Sequence, residues 1–308
     1  MSRRLSDSTL AHLLLLAVVI VWGATFVLVK DALQDVSPLL FNLLRMTIAF
    51  IALAIVNRRQ LRHISRRSLI SGLIVGLFLA AGYQFQTAGL ALTTPAKSAF
   101  ITGMVVVFVP LITIVPALRS SNTPAPSWSA AVGALLAFSG LLLLTTPTGT
   151  SWHNLFASIG LGDVLTLACA IAFAGHLISL SHASTQVATG QLATLQIGVA
   201  AALMAITLPL GGHPQLAITP RLLIALAVTS LLATAAAFTI QSWAQQHLPA
   251  THTAILLTLE PVFACLTSFL ILHERLSRRS LCGAALILAG IASIELLATT
   301  SPLPVHPE

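Results

Sequence analysis

Apolar and polar positions along the chain alternate on a long scale. Apolar blocks run roughly over 10–30, 38–56, 68–91, 96–118, 128–146, 161–181, 190–210, 221–243, 251–272 and 281–299, with short polar junctions between them. Each block is about as long as the twenty-residue helix that crosses about 30 Å of hydrocarbon. The short alternating segments of a membrane β-barrel are absent. The pattern predicts an all-α polytopic membrane protein with ten transmembrane helices. Pro38, Pro95, Pro124, Pro126, Pro147, Pro214, Pro220 and Pro249 fall at or near the junctions, where a missing backbone N–H is tolerated.

The blocks repeat in order. An offset of 155 carries Gln86, Val107 and Phe108 onto Gln241, Val262 and Phe263, and an offset of 150 carries Gly133 and Gly140 onto Gly283 and Gly290. An offset of 151 aligns the first two helices of each half, through Leu14/Leu165 and Ala49/Ala200. Residues 1–146 and 161–299 are therefore read as two five-helix repeats, with 147–160 as the connecting loop. Five is odd, so homologous halves insert with opposite orientation. That gives two inverted five-helix repeats, an arrangement common in secondary transporters.

Charge adds an orientation. Only 7% of residues are charged, and the net charge is +7. The arginines cluster in loops, as in Asn57–Arg67, without interleaved aromatic residues that stack on bases. The positive-inside rule accounts for them, and nucleic acid is not an expected partner. Basic residues of the first half place the N-terminus in the cytoplasm, and an even number of spans places the C-terminus there too. Asp31 and Asp35 fall on the opposite side. The second half departs from the rule, because Arg221, Arg275, Arg278 and Arg279 fall in its outer loops. Cys169, Cys265 and Cys282 lie in apolar blocks with no metal-ligand spacing, so no metal or other cofactor is expected.

The candidate chemistry is the polar residues inside apolar blocks. Glu260-Pro261 lies near the middle of the ninth block. A carboxylate at that depth costs about 2.5–3.5 kcal/mol on insertion scales. Its repeat counterpart is Val105, so the helix does not itself require the acid. Two readings stand: a proton, cation or amine site on the central cavity, or a hydrogen-bonded lock around a Pro261 kink. Arg45 corresponds to Gln196; it snorkels to the headgroups, pairs with Glu260 or binds an anionic group. His176 corresponds to Thr25, and an imidazole titrates close enough to neutral pH to relay protons. Gln86 and Gln241 are equivalent positions, Tyr83 lies one turn before Gln86, and Trp22 and Trp243 are candidates for the cavity wall. Glycine faces on the third, fifth and tenth helices (Gly72 and Gly76; Gly133 and Gly140; Gly283 and Gly290) predict close helix packing. The packing is within a monomer or, for the fifth and tenth helices, across a homodimer.

Leu259-Glu260-Pro261-Val262-Phe263, Leu272-His273-Glu274-Arg275-Leu276 and Gly283–Gly290, with Val21-Trp22-Gly23-Ala24-Thr25-Phe26 and Phe100-Ile101-Thr102-Gly103 in the first half, carry a family resemblance. In this order the chain resembles the ten-helix EamA branch of the drug/metabolite transporter superfamily, over nearly its whole length. His273 stands where the family pattern has glycine. The resemblance implies export or exchange of small metabolites, amino acids or drugs in a bacterial inner membrane. The expected partners are then a small-molecule substrate and the lipid bilayer.

Other classes lack their motifs. The nearest serine context, Ala137-Phe138-Ser139-Gly140, misses the first glycine of a serine-hydrolase elbow. There is no HExxH and no phosphate-binding loop. No filter sequence marks a channel. The expected function is secondary-active transport by alternating access, with or without proton coupling, and an intramembrane enzyme or an uncoupled facilitator are the alternatives.

Overall fold

The computed structural model describes residues 7–118, 128–145, 159–248, 253, 256–257 and 259–298. Among these residues the protein is helical, with one isolated β-bridge. The helices are α1 (Asp7–Ala32), α2 (Pro38–Val56), α3 (Arg66–Leu92), α4 (Pro95–Ile112), α5 (Trp128–Thr145), α6 (Leu161–Ser184), α7 (Thr189–Thr207), α8 (Pro220–His247), α9 (Glu260–Leu272) and α10 (Arg278–Ala298). Seven of them, α1 to α4 and α6 to α8, are long and apolar enough within the described residues to cross a membrane. The 147–158 part of the connecting loop, Arg3, Arg4 and Arg119, and the C-terminal tail lie outside the described residues.

Local chemistry explains several helix starts. Thr94-Pro95 opens α4 and Thr219-Pro220 opens α8. In each, the threonine hydroxyl accepts a bond from a first-turn backbone N–H, and the proline occupies a position whose N–H has no helical partner. Lys30 donates to the carbonyls of Leu90 and Ala91 at the end of α3, 2.9 and 3.0 Å away. There a cation meets the negative end of the helix dipole.

Helix contacts obey the internal repeat. α3 packs on α6 and α7, and its counterpart α8 packs on α1 and α2. α4 packs on α6, and its counterpart α9 packs on α1. The pairs α2–α7, α4–α9 and α5–α10 each join a helix to its own counterpart. This is the pattern of a pseudo-twofold axis through the centre of the bundle.

Three features take a definite form. The ninth block is not one helix centred on Glu260-Pro261: Leu259 is a turn and α9 starts at Glu260, with Pro261 in its first turn. Proline at that position begins a helix without removing a bond, so the kink reading is replaced by a helix break. α4 breaks at the corresponding place, Gly103-Met104, and resumes at Val105. The glycines proposed as a dimer face are consumed inside the chain. A Cβ on Gly140 would stand 2.5 Å from the Gly283 carbonyl, and one on Gly290 would stand 2.5 Å from that of Gly133. α5 and α10 therefore pack backbone to backbone. Finally, Leu272 ends α9 at His273, which takes the left-handed conformation (φ 53°) that a glycine would adopt without strain.

The α1–α2 and α7–α8 loops are tied together. Val36 and Leu216 form the β-bridge, flanked by Ser37 N–H to Gln215 O (3.1 Å) and Ala217 N–H to Asp35 O (2.7 Å). Arg221 pairs with Asp35 at 2.7 Å and Asp31 at 3.3 Å. The second-half arginine that departs from the charge rule is thus balanced by the acidic residues of the first half. Hydrogen bonds from Arg221 and then Thr219 hold the Asp35 carboxyl down at about 2. An unfolded aspartate titrates near pH ~3.9. The tie therefore stabilises fully above that pH and is lost as pH falls through about 2. Thermal melting of wild type against Asp35→Asn should show a gap at pH 6 that closes as the pH approaches about 2. A gap independent of pH would contradict this linkage.

Candidate functional site

A cavity of about 730 Å³, counting its mouth, lies between α1, α2, α3, α4, α6, α8 and α9. It reaches Val29 and Leu90 near the ends of α1 and α3, and Leu177 and Gln241 in α6 and α8. The helix breaks in α4 and α9 bring Val105 and Glu260 to its wall.

The repeat organises its aromatic wall. Trp22 and Phe173 are counterparts under the 151 offset, and Tyr83 and Phe238 under the 155 offset. Trp22 meets Phe238 at 5.5 Å between ring centroids, Tyr83 meets Phe173 at 5.3 Å, and Tyr83 meets Phe238 at 6.1 Å. The first two contacts are related by the pseudo-twofold, and the third crosses it. Gln86 and Gln241 line the cavity beside them. Phe173 and Phe238 were not singled out from sequence, although the offsets that matched other residues lead to both.

The polar groups break the symmetry. Arg45 is 3% exposed, so the snorkelling expectation does not hold. Its Nε donates to Thr234 Oγ1 (2.7 Å), and its Nη2 donates to Tyr83 Oη (3.1 Å) and Ala233 O (3.3 Å). The guanidinium lies 4.3 Å from the Tyr83 ring centroid, a cation–π distance. It forms no ion pair with Glu260, which overturns that expected pairing. Its anchor is local: α8 widens to a π-helix over Val228–Ala236, a distortion frequent at functional sites. The wide stretch presents the Ala233 carbonyl to Arg45 and also to Trp22 Nε1 (2.8 Å).

Glu260 faces the cavity with no hydrogen-bond partner among the described residues, so the lock reading finds no bond to carry it. His176 is buried, with Nε2 2.9 Å from Gln196 Oε1, and its ring lies against Phe173 and Phe238. Gln241 is 3% exposed, and its Oε1 is a buried acceptor without a partner among the described residues. The cavity thus brings together Trp22, Arg45, Tyr83, Gln86, His176, Gln241 and Glu260. Trp243 is elsewhere. It packs with Ala11, Leu15, Ala244 and Leu248 and lies 4.5 Å from His247. Pro261 supports the wall from behind, where its ring meets the position of a Gly103 Cβ at 3.0 Å. Lys97, at the start of α4, pairs with Asp163 at 2.8 Å.

A bundle of apolar helices around a central cavity is the architecture of a polytopic membrane protein. The chain belongs to the EamA-like transporter family, whose pattern it matches twice, over residues 9–146 and 160–296. It is 32% identical to an uncharacterized transporter of Archaeoglobus fulgidus over 93% of this chain and 86% of that one. It is 24% identical to the uncharacterized transporter YoaV of Bacillus subtilis over 90% and 94% of the two chains. A crystal structure that shares 19% identity superposes with a TM-score of 0.66, over 96% of this chain and 99% of that chain, and so has the same fold.

Proposed function

We propose that the protein is a secondary-active carrier that exports or exchanges a small molecule by alternating access, in a bacterial cytoplasmic membrane with both termini cytoplasmic. The observation that carries this reading is a cavity on the pseudo-twofold, bridged by one polar side chain toward each end. At one end Lys30 ties α1 to the terminal carbonyls of α3. At the other, Gln246 of α8 donates to Ser184 O at the end of α6 (2.9 Å) and to Thr189 Oγ1 (3.0 Å). The repeat places these bridges in corresponding positions, since α1–α3 in one half is α6–α8 in the other. Opening one and closing the other exchanges the conformations of the halves.

The test needs no substrate. In a variant whose native cysteines are replaced, Gln86→Cys serves as a cavity label, read with an impermeant thiol reagent from each face of oriented vesicles. Lys30→Ala removes charge-assisted bonds worth about 1.5–3 kcal/mol, or about tenfold or more in population. It should raise labelling from one face and lower it from the other. Gln246→Ala should do the reverse, by a few-fold. Changes in the same direction at both faces are the behaviour of a channel and would remove alternating access.

A further inference from the structure

We propose that Arg45 and Tyr83 form an anion subsite, and that the carried molecule is a small carboxylate with an apolar body. This rests on the cavity being the substrate site of the carrier. The argument is an accounting of donors. Arg45 is almost wholly buried, and no carboxylate lies within 4.0 Å of it among the described residues. A buried guanidinium without a counter-charge is costly, and the cation–π contact with Tyr83 offsets only part of that cost. Nε and Nη2 are committed to Thr234, Tyr83 and Ala233, while Nη1 has no hydrogen-bond partner among the described residues. Tyr83 Oη accepts from Arg45, so its own O–H proton is also uncommitted. Both side chains line the cavity. Two neighbouring donors, one of them a cation, thus have no acceptor within reach among the described residues; Glu260 lines the same cavity but stands beyond the 4.0 Å of an ion pair with Arg45.

The surroundings specify the rest of the ligand. Trp22, Phe173 and Phe238 lie around Tyr83 and provide an apolar surface for a ring or aliphatic body. The anchor is also fixed in place. Nε and Nη2 hold the guanidinium to α8, so Nη1 is pre-aimed and little side-chain freedom is lost on binding. The repeat explains why one such subsite exists: the counterpart of Arg45 is Gln196, already spent on His176 and Ser242, and that of Tyr83 is Phe238, which has no hydroxyl.

The test compares three probes with one body: 3-phenylpropionate, 3-phenylpropan-1-ol and 2-phenylethylamine. Each is titrated calorimetrically into the full chain in lipid nanodiscs. The carboxylate should bind at least about tenfold more tightly than the alcohol or the amine, the increment of one charge-assisted hydrogen bond. Arg45→Gln should erase that preference and leave the alcohol unchanged. Tyr83→Phe keeps the ring and the cation–π contact, and should weaken only the carboxylate, by several-fold. If Arg45→Gln does not fold, Tyr83→Phe decides alone. Equal binding of carboxylate and alcohol, a preference that survives Arg45→Gln, a preference undiminished by Tyr83→Phe, or no binding of the carboxylate overturns the subsite. Those outcomes are distinct from failure of the carrier reading, which is read by two-sided labelling and not by binding.

Discussion

Glu260→Gln is expected to abolish proton-driven accumulation while leaving exchange of solute across the membrane. Glu260 begins α9, faces the cavity and has no hydrogen-bond partner among the described residues. Its counterpart Val105 occupies the same place after the break in α4. On the proposed alternating-access reading, a carboxyl without a partner among the described residues can take and release a proton as the cavity changes sides, and glutamine keeps its shape without that ability. With one proton per solute, each unit of pH gradient supports about tenfold accumulation, equivalent to about 1.4 kcal/mol. Proteoliposomes with an imposed gradient should show that ratio for wild type and none for the variant, with protein-free vesicles as the blank. Both should perform counterflow. Full gradient-driven accumulation by Glu260→Gln would exclude coupling through this residue.

The largest structural effect is expected at Gly140. Leucine there must fit between backbones that leave a Cβ only 2.5 Å from the Gly283 carbonyl and 2.8 Å from the Ile287 nitrogen. Backbone cannot move aside as a side-chain tip can, so α5 and α10 must part. The cost should lie at or above the upper end of overpacking, about 3 kcal/mol. Gly140→Leu should lower the thermal midpoint by several degrees or yield no monodisperse protein in detergent. Leu135→Ala, on the exposed face of the same helix, is the control and should change little. A wild-type midpoint for Gly140→Leu would mean that the α5–α10 contact is dispensable.

The two halves of the site were unequally legible. Tyr83 and Gln86 lie three residues apart and share a helix face, as do Phe238 and Gln241. The repeat relates the two pairs, so symmetry pointed to the site. Trp243 failed for a geometric reason. It follows Gln241 by two residues, about 200° around the helix at 3.6 residues per turn, so it faces α1 instead of the cavity. Phe173 and Phe238 were passed over because an aromatic ring in an apolar block reads equally as core or as lipid contact. Only their placement around Tyr83 distinguishes them.

Sequence alone determined the class, the positions of most helices and the internal repeat. Those features are local: in lipid each helix must satisfy its own backbone, so its apolar length is written in consecutive residues. Tertiary structure decided what the polar residues do. Whether Arg45 snorkels, pairs with Glu260 or presents a free donor depends on α8, nearly two hundred residues away, and on a wide turn there that no local pattern announced. Whether Pro261 bends a helix or begins one depends on where α9 starts against α1 and α4. Apolar length is a property of one segment, but the partner of a buried charge is a property of the whole bundle.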